Sequence, residues 1–116
     1  MNINPGLTLK EQYGPKSEAW QEQQSAPIVR FWCDDGTCWA IPFFQIAFMH
    51  YHPEEQSLLI ECAPGTIIVM GPKALDFCER FCSHKVSLLK ADGKDILAVT
   101  IQLHVQGRAG EGMTNL

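Results

Sequence analysis

The sequence predicts an α+β domain: a mostly antiparallel, strongly twisted sheet or small barrel of about seven strands with a single helix. Three observations carry this expectation. Residues 28–69 run as short stretches of β-prone side chains broken by Asp35-Gly36, Pro53 and Pro64-Gly65, the pattern of a five-strand meander. Residues 72–84 then change to a helical period. After them, two apolar runs flank a second Asp-Gly at Asp92-Gly93, which predicts a C-terminal hairpin.

At 116 residues the chain has the length of one domain, enough to bury roughly two-thirds of the surface its unfolded chain exposes. Residues 1–27 are rich in Gln, Glu, Pro and Gly and keep no sustained period, so a flexible or loosely packed N-terminal segment is expected there. Ser17 can cap a short helix over residues 17–23, with Trp20 as its anchor. The single α+β domain then spans residues 28–105, and the Gly-rich, polar residues 106–116 read as a disordered tail.

Within the meander the first hairpin is the most explicit. A two-residue turn at Asp35-Gly36 sets Asp34 opposite Thr37, Cys33 opposite Cys38 and Trp32 opposite Trp39. Arg30, Trp32, Trp39 and Ile41 then share one face, with Phe31, Cys33, Cys38 and Ala40 on the other. A strand pair that is apolar on both sides calls for cover on both, which makes Trp32, Trp39, Arg30 and Ile41 the expected interface of a homodimer. The same register brings Cys33 and Cys38 to a Cα separation of about 4.5 Å, the short end of what a disulfide accepts, so these two form a candidate thiol pair.

Further along, Phe44, Ile46, Phe48, His50 and His52 alternate against Phe43, Gln45, Ala47, Met49 and Tyr51 in a third strand, and residues 57–63 and 66–70 supply two more. In the helix, Ala74, Leu75, Phe77, Cys78, Phe81 and Cys82 fall within an arc of about 160°, with Lys73, Asp76, Glu79, Arg80 and Ser83 opposite. Phe77 and Phe81 are therefore its expected docking residues, and Pro72 suits its first turn. In the last strand Leu97, Val99, Ile101, Leu103 and Val105 form the inward set.

The formal charge of -4 and the presence of one basic residue, Arg30, between positions 28 and 70 argue against a nucleic-acid partner or an anionic membrane. No apolar run in residues 1–25 has the make-up of a signal peptide, and the five scattered cysteines suit free thiols, so a cytoplasmic address is expected. Two sets have the look of metal ligands: Cys78-x3-Cys82-x-His84, because i and i+4 share a helix face, and His50-x-His52, because alternate strand residues project side by side. The commoner roles of such residues are a small apolar side chain and the polar end of a strand. No P-loop, G-x-S-x-G, G-x-G-x-x-G or H-E-x-x-H occurs, so neither catalysis nor a cofactor is expected. The expected function is protein interaction or assembly as a homodimer. The alternatives are a metal- or thiol-dependent protein using the cysteine and histidine sets, and small-ligand binding within a curled sheet.

Overall fold

The computed structural model describes residues 17–104. The chain forms β1 (Trp20–Glu22), β2 (Ile28–Trp32), β3 (Cys38–Pro42), a 3-10 turn (Phe43–Gln45), β4 (Ile46–His52), β5 (Ser57–Cys62) and β6 (Gly65–Met70). Helix α1 (Ala74–Cys82), β7 (Val86–Lys90) and β8 (Ala98–Leu103) follow. The strands make two four-stranded sheets, in the orders β1-β7-β2-β3 and β4-β5-β6-β8. Every neighbouring pair is antiparallel except β2 and β7, which run parallel. The α+β class with mostly antiparallel sheets is therefore present, but a closed barrel is not: the strands divide into two separate sheets.

The chain crosses between the sheets three times, once through α1, and each of the other two crossings replaces an expected strand pairing. The five-strand meander breaks at Pro42, which ends β3 without an N–H to offer. Phe43 still donates its N–H to Pro27, just ahead of β2 in the first sheet (2.8 Å), while the carbonyl of Gln45 already accepts from Ala63, just after β5 in the second (3.2 Å). One 3-10 turn thus carries the chain between sheets. The C-terminal hairpin breaks at Asp92, whose Oδ1 accepts the N–H groups of Lys94 (3.0 Å), Asp95 (2.8 Å) and Ile96 (3.0 Å). That side-chain turn sends β7 into one sheet and β8 into the other, so they do not pair. It also reverses the expected alternation at its exit. Ile96 is fully buried and Leu97 is 56% exposed, and Leu97 donates to the Met70 carbonyl (2.6 Å) before the regular ladder begins at Ala98.

The N-terminal segment differs too. Residues 20–22, expected as part of a short helix, pair as a strand with β7, and Ala19, Trp20 and Ala26 are buried. Tertiary pairing wins over a capping signal that has only one turn to stabilise. Residues 1–16 of that segment and the C-terminal tail lie outside the described residues.

The core lies between the sheets and under the helix. In the first sheet the register aligns Trp20, Leu89, Phe31 and Trp39 in one row across all four strands. In the second it aligns Tyr51, Leu58, Val69 and Val99, and beside them Met49, Ile60, Ile67 and Ile101. Phe77 and Phe81 of α1 are fully buried, as their helical spacing predicts; Phe77 meets Trp20 edge-on (5.7 Å) and Phe81 meets Phe31 (5.9 Å). The helix ends in a Schellman arrangement, with His84 donating to Phe81 and Lys85 to Arg80, and His84 itself takes the left-handed conformation (φ 59°). No helix among the described residues is long and apolar enough to cross a membrane.

Candidate contact surface at the β4 edge

The contact patch expected on the first hairpin does not assemble, because the turn is one residue longer than Asp35-Gly36 alone. Gly36 donates to the Cys33 carbonyl (3.0 Å) and Cys33 to the Thr37 carbonyl (2.8 Å), which leaves Asp34, Asp35 and Gly36 as a three-residue loop. Gly36 sits at φ 91°, the left-handed position that ends such loops. Asp35 holds the shape by accepting the Thr37 hydroxyl (2.6 Å) and N–H (2.9 Å), and these bonds keep its carboxyl below the usual range. One extra residue in the turn changes every cross-strand partner. Trp32 lies opposite Cys38, and Phe31 opposite Trp39.

The four residues expected to share a face are therefore divided. Arg30 and Trp32 point outward, whereas Trp39 aligns with buried Phe31 and Ile41 with buried Val29. The thiol pair is divided in the same way: Cys33 is buried and Cys38 exposed, on opposite faces of the hairpin. Burial, and then the nearby Asp35 carboxylate, raises the pKa of Cys33, leaving it a protonated core thiol.

The histidine and cysteine sets are also sorted by their surroundings. The rings of His50 and His52 lie 4.2 Å apart on the outward face of β4. Cys78 is half-buried and Cys82 exposed on α1. His84 turns to the ring of Phe43, 3.7 Å between centroids. Among the described residues no three of His, Cys, Asp or Glu converge as a metal site would need.

The geometry instead draws attention to the second sheet. Its inner face is packed, and its outer face carries the rows Phe48–Glu61–Thr66–Gln102, His50–Leu59–Ile68–Thr100 and His52–Ser57–Met70–Ala98. Glu61 is the only Asp, Glu, Lys or Arg in these rows, and its carboxylate is occupied by the Thr66 hydroxyl (2.9 Å). Phe48 is 60% exposed, and Phe44, in the turn leading into β4, is 85% exposed. Both aromatics stand at the β4 border of the sheet.

β4 is an edge strand of seven residues, the longest of the eight, and its sequence Ile-Ala-Phe-Met-His-Tyr-His contains no Lys, Arg, Asp, Glu or Pro. Edge strands are ordinarily kept from pairing by charge, proline, shortness or cover. A bulge between Ile46 and Phe48 disturbs only the start of β4. Ladder alternation directs the main-chain groups of Met49 and Tyr51 away from β5, so among the described residues these present the free edge. The opposite border of the sheet is treated differently, since Asp34 takes both main-chain groups of Val99 in β8.

Sequence reasoning placed Phe44 and Phe48 on one strand face but gave no reason to leave that face uncovered. Its visible signal is the missing charge, which becomes informative only once β4 is known to be an edge. Set against protein-family models, curated proteins and solved structures, the chain matches none of them.

Proposed function

We propose that this chain is a non-enzymatic contact module that works as a homodimer, and that two copies meet by antiparallel pairing of their β4 edges. The observation that carries this reading is the seven-residue edge strand without Lys, Arg, Asp, Glu or Pro, with exposed Phe44 just before it and exposed Phe48 in it. Pairing two β4 strands about a two-fold axis satisfies the outward main-chain groups of Met49 and Tyr51 and joins the two sheets into one of eight strands. It also lets Phe44 and Phe48 of each copy close over the seam, where aromatic side chains contribute most to an interface. Between the sheets the space is filled by Phe31, Leu58, Ile60, Ile67, Phe77 and Phe81, which favours a contact function over a ligand held inside the fold.

The test is the mass in solution. Light scattering should return twice the chain mass of 13.0 kDa for the wild type. Phe48→Lys places a gatekeeper charge on the edge. It should return the single-chain mass with an unchanged far-UV spectrum. A wild type that stays monomeric at high micromolar concentration, or a Phe48→Lys variant that still dimerises, rules out the β4 interface.

A further inference from the structure

Outside the β4 border, α1 carries a pair of side chains that the contact function does not use. Cys78 and Cys82 stand one helical turn apart on the same flank, the first half-buried against the core and the second open to solvent. Side chains at i and i+4 have their Cβ atoms about 5–6 Å apart. That is wider than the roughly 3.5–4.5 Å a disulfide requires, so the intact helix resists closing the pair into an S–S bond. It is well matched to a single atom held between two sulfurs, since two metal–thiolate bonds of about 2.3 Å placed in line span about 4.6 Å.

We propose that Cys78 and Cys82 form a two-thiolate clamp for a soft monovalent cation, Cu(I). Zinc wants four protein or water ligands in a tetrahedron, and among the described residues no third Cys, His, Asp or Glu joins this pair. Thiolates select Cu(I) by softness, and a d10 monovalent ion is satisfied by two of them. Binding replaces two S–H protons with two S–Cu bonds, releases both protons to water and transfers no electron, so no oxidant or reductant is needed.

The surroundings fit a cation better than a bare thiolate. Burial, the neighbouring Cys82 and the adjacent Glu79 push the Cys78 thiol up to about 11. The helix C-terminus adds partial negative charge at Cys82. Cys78 therefore waits as a thiol and exchanges its proton for the metal. Affinity should then rise with pH, because binding releases protons.

The experiment uses the full chain with Cys38→Ser, which removes the one exposed thiol outside the pair; Cys33 and Cys62 are buried. Under anaerobic conditions Cu(I) is partitioned between protein and a colorimetric Cu(I) chelator. One Cu(I) per chain is expected, with affinity reduced at least a hundredfold by either Cys78→Ser or Cys82→Ser. Retention within threefold in either variant, or failure of the parent to hold one ion, overturns the clamp. Cys82 is exposed, so its variant should keep the fold, and intact-mass analysis with phenylarsine oxide gives a second reading. That reagent condenses with two thiols and loses one water. A closed 1:1 adduct in the parent that is absent from Cys82→Ser supports the geometry, and equal labelling of both refutes it.

Discussion

Asp34 and Val99 hold each other twice: the Asp34 N–H donates to the Val99 carbonyl (2.8 Å), and the Val99 N–H donates to the Asp34 carboxylate (3.3 Å to each oxygen). The two residues are 65 positions apart, one at the tip of the first sheet's hairpin and the other on the edge of the second sheet. The contact both ties the sheets together and occupies an edge that is otherwise open to pairing.

Asp34→Ala removes the acceptor and leaves the Val99 N–H to water. A loss of about 1 to 2 kcal/mol in urea unfolding is expected, because the bond is charge-assisted but lies near solvent. Native-state hydrogen exchange should show faster exchange at Val99 in the variant. An unchanged Val99 rate would sink the assignment.

The helix depends on its two rings. Phe81 is fully buried between Phe31, Phe43 and Phe77, so Phe81→Ala should cost about 3 to 5 kcal/mol through lost burial and the cavity left behind. A cost below 1 kcal/mol would mean that the ring is not part of the core.

Gly65 starts β6 directly against β8. A Cβ there would meet the Gln102 carbonyl oxygen and lie 2.8 Å from the Leu103 Cα, both main-chain atoms that cannot swing away. Gly65→Ala should therefore destabilise by about 1 to 3 kcal/mol, as overpacking does. Gly36→Ala also costs stability, but through its positive φ, since open space surrounds that position.

Acid should weaken the crossing between β7 and β8. Burial tends to raise the Asp92 carboxyl, but the N–H groups of Ile96, Lys94 and Asp95 outweigh it and leave the pKa below the usual value. A folded pKa below the unfolded one means a contribution that is complete above about pH 3.9 and lost as pH falls through the folded value. Asp92→Asn keeps an acceptor oxygen and cannot titrate, so its stability should fall less steeply than the wild type's below about pH 4. Parallel slopes for the two proteins would contradict this role.

Thiol chemistry separates the cysteines by position. Diamide should produce no Cys33–Cys38 bridge, because those side chains occupy opposite faces of the hairpin. Alkylation should reach Cys38 and Cys82 first, and Cys33 and Cys62, buried and with raised pKa values, last. Peptide mapping after timed alkylation reads the order directly.

Local pattern by itself determined the strand-rich composition and the helix with Phe77 and Phe81 as its buried stripe. These follow from side-chain period, which each element carries within its own residues. Only the tertiary structure decided which strands pair. Asp-Gly marks a turn without stating its length, and one added residue at Asp34 moved Trp39 inward and left Trp32 outside. Asp92-Gly93 likewise marks a turn without stating whether the strands on either side rejoin, and three main-chain bonds to one carboxylate oxygen sent them to different sheets. Exposure of Phe44 and Phe48 was decided the same way, because an edge is a property of the assembled sheet: β4 has β5 on one side and, among the described residues, no strand on the other.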